Sequence, residues 1–92
     1  GRSPRINGKA GRDHWPQCGF SLLTGGGVKP GMVYGATDKE AAYPVSDPVH
    51  PADLVATVYH LLGIDPNLSV HDRFGRPFPI AQGGEILHRI LA

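Results

Sequence analysis

A chain of 92 residues has room for one small domain with a thin core, since a globule of this size buries only roughly 60–65% of its unfolded surface. Its 40% hydrophobic and 18% charged residues fit a folded globular chain rather than a disordered one, while 13 Gly and 9 Pro leave little length for regular elements. A net charge of +1 carries no global signature of nucleic-acid or membrane binding, no apolar run approaches the roughly 20 residues of a membrane span, and a lone Cys18 excludes both an internal disulfide and a C-x-x-C zinc motif.

Residues 1–19 read as a flexible basic arm and loop, and residues 20–92 as the folded part of a single domain or domain fragment. Arg2, Arg5, Lys9 and Arg12 all precede the first acid, Asp13. Such an arm can touch phosphates, but a solvated terminus is the simpler reading. Trp15 is the only aromatic nearby, so no stacking platform for bases is built and no nucleic-acid partner is expected. The first residues contain no apolar signal-peptide core. The protein is therefore cytoplasmic, or its export signal lies outside this chain.

The run "FSLLT" at 20–24, closed by Gly25, Gly26 and Gly27, predicts a short buried strand entering a turn. Lys29-Pro30-Gly31 marks another turn, and "MVYGA" at 32–36 a second weak strand with Gly35 as a bulge. The clearest element is a helix over 51–62. Pro51 suits its first position, Asp53 its first turn, and Gly63 its stop. Leu54, Val55, Val58, Leu61 and Leu62 fall on one stripe of that helix and predict its buried face. Residues 67–79 look irregular, with a turn at Gly75-Arg76-Pro77 leading into a short extended piece. "EILHRILA" at 85–92 predicts a second helix of two turns, which only tertiary packing would hold. The fold class is α/β: two helices on a small, incomplete sheet, loop-rich throughout.

Few residues offer chemistry. His60 and His88 lie opposite their apolar neighbours and face solvent, and His50 sits at the N-cap of the helix. His71-Asp72-Arg73 is a charged loop in which Arg73 could take an anion. The glycine triplet lacks the Gly-Lys-Ser/Thr of a phosphate loop, and no Ser, Thr or Cys has a recognisable base beside it. Asp13-His14 pairs a carboxylate with an imidazole, both good ligands for zinc or manganese. Two ligands fall short of the three or four a zinc site needs, and an ordinary polar loop explains the pair as well.

The order "GRSPRIN", "GRDHW", "SLLTGGGVKPGMVYGATD", "DLVATVYHLLGID" and "HDRFGRPFPI" resembles the sulfatase-like domain of unknown function 1501 family, a branch of the alkaline phosphatase superfamily. The likeness spans nearly the whole chain, with Ser3 standing where Thr is usual. It implies a C-terminal portion of a longer α/β metallohydrolase, with the nucleophile and most metal ligands upstream. By position, His14 resembles a metal ligand of that superfamily, with Asp13 as a second. A divalent metal (zinc, manganese or calcium) would serve the parent enzyme on phosphate or sulfate esters; this chain alone would be inactive, and the resemblance gives no added reason for it to bind metal by itself. Arg2 or Arg12 would neutralise ester charge. The resemblance further implies an exported bacterial protein and a helix that buttresses the parent sheet. The expected partner is the missing N-terminal part of the parent domain or a second copy, with no membrane contact. The alternative is a non-enzymatic structural or interaction domain. A truncated hydrolase should expose apolar surface on the Leu54/Val58/Leu61 or Ile86/Ile90 faces, whereas a complete domain should bury both.

Overall fold

The computed structural model describes all 92 residues and is mixed α/β. It contains two separate two-stranded antiparallel sheets, one α-helix and one 3-10 turn. The strands are β1 (Ala36–Thr37), β2 (Pro44–Ser46), β3 (Ser69–His71) and β4 (Pro77–Pro79). The helix α1 spans Pro51–Leu61 and the 3-10 turn His88–Ile90. No helix is long and apolar enough to cross a membrane. The chain divides into two compact units, Gly1–Thr24 with Val33–Pro48, and Gly25–Met32 with Val49–Ala92.

In the first unit β1 and β2 form a hairpin that pairs Ala36 with Ser46 and Thr37 with Pro44, its register shifting between the two pairs. Gly35 enters this shift at φ +84°, with the Ser46 and Asp47 carbonyls close to where a Cβ would stand, so the bulge expected at Gly35 falls beside it. Asp38 closes the hairpin loop: its Oδ1 accepts from the Ala42 N–H at 2.8 Å, and its own N–H donates to the Tyr43 carbonyl at 3.0 Å. The strand expected over 20–24 is absent. Phe20 and Leu22 stand 90% exposed, because an apolar run becomes a strand only where a partner strand pairs it, and none lies beside these residues. The expected strand over 32–36 contracts to its end, Ala36–Thr37.

In the second unit α1 starts and stops where its sequence signals place it. His50 Nδ1 accepts from the Ala52 N–H at 3.1 Å, while Asp53 Oδ2 accepts from the His50 N–H at 3.0 Å, a reciprocal N-terminal cap. At the other end Gly63 adopts φ +80°, and the N–H groups of Gly63 and Ile64 donate to the carbonyls of His60 and Tyr59. That pattern is a Schellman closure.

The buried face of α1 differs from the expected one. Ala56 and Thr57 are fully buried, whereas Val55, Val58 and Leu62 are 43%, 39% and 69% exposed, and Leu54 and Leu61 are only half-buried. The cause is what lies against the helix. Residues 84–87 approach as irregular backbone rather than as an apolar surface, and backbone needs small side chains and hydrogen-bond partners. Asp53 Oδ1 accepts from the Glu85 N–H at 2.9 Å, and Thr57 Oγ1 from the Leu87 N–H at 2.9 Å. The second helix expected over 85–92 is replaced by a single 3-10 turn at His88–Ile90, since so short a segment supplies few internal hydrogen bonds and its backbone is tied instead to α1 and to residues 27–29. Beyond the turn, Ala92 and Lys29 donate to Gly27 and Ile90 carbonyls and hold 25–29 against the chain end.

Residues 67–79, expected to be irregular, contain the β3–β4 hairpin, with Val70 opposite Phe78. Asp72 shapes its turn. Its Oδ1 accepts from the N–H groups of Phe74 and Arg76, and its Oδ2 meets Arg76 Nε at 2.8 Å. The Arg76 backbone N–H, ahead of the guanidinium and the Phe74 N–H, holds the Asp72 carboxyl below the usual carboxylate range.

Asp53 carries a testable pH dependence. The Glu85 N–H first, then the His50 N–H and the nearby His50 charge, hold its carboxyl below the usual range against a smaller opposing effect of burial. A carboxyl lowered in the folded state stabilises above its unfolded value of about 3.9, and that contribution disappears as pH falls through the lower folded value. Amide exchange at Glu85 should therefore keep its protection from pH 7 to about 5, and lose part of it below about pH 4. Asp53→Asn should abolish that acid step.

Candidate metal-ligating loop

The Asp13-His14 pair sits on a loop that closes back on the first residues of the chain. Arg2 and His14 form an antiparallel bridge. Ser3 N–H donates to the Asp13 carbonyl at 2.9 Å, and Trp15 N–H to the Gly1 carbonyl at 3.0 Å. Ser3, itself buried, turns its hydroxyl inward to accept from the Asp13 N–H at 3.0 Å and to donate to the Arg5 carbonyl at 2.9 Å.

Asn7 organises the intervening turn. Its Oδ1 accepts from the N–H groups of Lys9 and Gly11, its N–H donates to the Gly11 carbonyl, and its Nδ2 donates to Asp13 Oδ1 at 3.0 Å. This is the turn chemistry Asn favours, and it lets Ala10 take φ +59°. Trp15 anchors the loop to the β1–β2 hairpin: its Nε1 donates to the Ala42 carbonyl at 2.7 Å, and its ring meets Tyr43 edge to face at 5.9 Å.

The two sequence-predicted ligands are thus neighbours on extended, paired backbone, both exposed. Consecutive side chains on such backbone leave on opposite sides. Asp13 commits Oδ1 to Asn7 and keeps Oδ2 free, and the His14 imidazole makes no hydrogen bond within the chain. An imidazole and a carboxylate oxygen suit zinc or manganese, and the carboxylate suits calcium. No group of three or more His, Cys, Asp or Glu converges anywhere in the structure. The loop therefore offers donors of the right chemistry but part of a coordination sphere. Of the two arginines named from sequence, Arg2 directs Nη1 at the Arg12 carbonyl at 3.5 Å.

Ser3 and Asn7, which brace the site, carry no chemistry and stand apart from Asp13 in sequence. The Asn7-Gly8 pair is the one local signal that a tight turn falls there. The remaining histidines serve elsewhere: His50 caps α1, His71 lies in β3, and His60 and His88 face each other in the second unit.

The profile of the family described as "Protein of unknown function (DUF1501)" matches residues 1–91. No curated protein and no solved structure matches the chain.

Proposed function

The chain belongs to the DUF1501 family, and on that premise we propose that it is a C-terminal portion of a sulfatase- or alkaline phosphatase-like metal-dependent ester hydrolase, inactive by itself. The observation that carries this reading is the loop of Asp13 and His14, which Ser3 and Asn7 hold in place while Asp13 and the His14 imidazole stay exposed. His14 would hold the metal through its free imidazole, and Asp13 would join it through Oδ2 only where the paired backbone bends to bring both side chains to one side, with the remaining ligands supplied from outside these residues. The metal, zinc or manganese in this reading, would polarise a phosphate or sulfate ester when bound. Ser3 and Asn7 position the loop, and Arg2 and Arg12 place positive charge beside it.

Of the faces expected to stay open, only Val58 is exposed, while Leu54, Leu61 and Ile86 are half-buried and Ile90 is buried; the exposed apolar side chains that support the same reading lie mostly elsewhere. Phe20, Leu22 and Val33 are each 90% exposed in the first unit, and Val55, Val58 and Leu62 line the outer side of α1 in the second. Surface of this kind suits burial against the rest of a larger domain or against a second copy.

The test is a titration of the chain with zinc or manganese, followed by amide and imidazole NMR. Saturable changes are expected at Asp13, His14 and their hydrogen-bond partners, and His14→Ala should remove those changes. A folded chain that shows no response at either residue overturns the assignment of this loop to metal binding.

A further inference from the structure

We propose that the outer edge of β3 is an interface between two copies of this chain, which pair it antiparallel across a two-fold axis. The register of the β3–β4 hairpin decides which backbone groups are free. The Asp72 N–H donates to the Arg76 carbonyl, and the Ile80 N–H to the Leu68 carbonyl. Hydrogen-bonded pairs alternate along an antiparallel ladder, so Val70–Phe78, midway between these two, is the third such pair. Ser69 and His71 therefore turn their N–H and C=O groups away from β4, and no group of the chain pairs them. β3 is exposed along its whole length. The opposite edge of the hairpin differs. Pro77 and Pro79 occupy the outward positions of β4, so that edge carries carbonyls and no N–H. One edge of the sheet is blunted and the other is open.

The open edge is its own complement. With Val70 on the axis, Ser69 of each copy exchanges a pair of N–H···O=C bonds with His71 of the other. The edge carries no Lys, Pro or acid that would turn away a copy of itself. Val70 meets Val70 across the axis as a non-bonded pair, the closer of the two cross-strand spacings. Val70 and Phe78 are 56% and 50% exposed, and with Tyr59 and Ile80 they line an open hollow beside the hairpin. Pairing covers part of this apolar surface. A two-stranded sheet is marginal in water, whereas the pairing makes a sheet of four strands, with β3 of each copy at its centre. Its outer edges are then both β4, blocked by proline, so assembly closes at two copies instead of running on into a fibre. Self-complementary register and this closure favour a second copy over a strand of another protein. Three residues a side bury well under the roughly 1,200 Å² of a stable interface, so the association is weak, with a midpoint of about 0.1–1 mM. The hairpin lies within the second unit, and its pairing does not depend on the hydrolase reading of Asp13 and His14.

The experiment is sedimentation equilibrium of the full chain from about 10 µM to about 2 mM, for wild type, Ser69→Pro and Val70→Lys. Wild type should pass from monomer to dimer and no further. Ser69→Pro removes an outward N–H without touching a bond of the hairpin, and Val70→Lys sets like charges face to face on the axis. Either should raise the dimer midpoint at least tenfold, while amide-exchange protection at Asp72 and Ile80 shows the hairpin intact. Leu22→Ser, which removes exposed apolar surface outside the hairpin, should leave the midpoint unchanged. In wild type itself, the Ser69 and His71 amides should gain exchange protection as concentration rises. A wild-type chain still monomeric at about 2 mM, growth beyond two copies, or a dimer whose Ser69 and His71 amides stay unprotected overturns the proposal.

Discussion

Gly84→Ala is expected to cost about 1–3 kcal/mol or more and to release residues 84–87 from α1. A Cβ at this position would overlap the Ala52 carbonyl and stand 2.8 Å from the Asp53 nitrogen. Both are backbone atoms of the first helical turn, so neither can rotate away as a side chain could. The chain can come this close to the helix only without a side chain, and the approach is what lets Asp53 reach the Glu85 N–H. Urea denaturation followed by helical circular dichroism gives the stability loss, and amide exchange at Glu85 and Leu87 locates it. Gly26→Ala is the matched control: its Cβ would meet nothing within 4 Å and its φ is not positive, so it should change stability by less than about 0.5 kcal/mol. Equal losses from both substitutions would mean that the approach of 84 to α1 is not maintained in solution.

The same contacts explain which parts of the fold were legible in the sequence. The limits of α1 were, because Pro51, Asp53 and Gly63 act within one turn of the helix ends, and start and stop signals are local. Its buried face was not. Leu54, Val58 and Leu61 form the most apolar stripe, yet Ala56 and Thr57 are the residues covered, because the partner is a backbone segment that arrives from about 30 residues away and selects small and hydrogen-bonding side chains. The final helix failed because its periodicity covers only two turns, which offer few internal hydrogen bonds, and contacts with α1 and with residues 27–29 set the path of the chain end instead. The β3–β4 hairpin was hidden by Pro77 and Pro79, which argue against a strand. They are tolerated because every strand of a two-stranded sheet is an edge.

In the loop of Asp13 and His14 the chemistry was legible and its support was not. An adjacent carboxylate and imidazole are visible in any sequence, whereas the hydroxyl of Ser3 and the amide of Asn7 reach Asp13 only through chain reversal. His60 and His88 show the converse. Each is exposed, as its position opposite the apolar neighbours predicts, but that reasoning treats each segment alone and cannot show two exposed rings facing each other.

Thr57→Val tests how far this second unit depends on polar rather than apolar burial. Thr57 is the largest fully buried side chain of the chain, and no Leu, Val, Phe or Tyr is buried in either unit. Its hydroxyl donates to the Asp53 carbonyl at 2.7 Å and accepts from the Leu87 N–H at 2.9 Å, so one oxygen ties the helix to the chain end. Valine keeps the shape and the β-branch and removes both bonds. The Asp53 carbonyl retains its helical role, but the Leu87 N–H is left facing a methyl group. Leaving a buried donor unpaired costs about 1–3 kcal/mol, whereas apolar burial gained by exchanging a hydroxyl for a methyl returns roughly 0.8 kcal/mol at most. Net destabilisation of about 1–2 kcal/mol is therefore expected, with exchange at Leu87 accelerated about tenfold or more. Thr57→Ser, which keeps the oxygen and drops the methyl, should hold the Leu87 amide protected while losing some packing. If valine proves neutral and serine costly, the unit is held by packing around position 57, and the ladder from Glu85 to His88 along α1 loses its central rung.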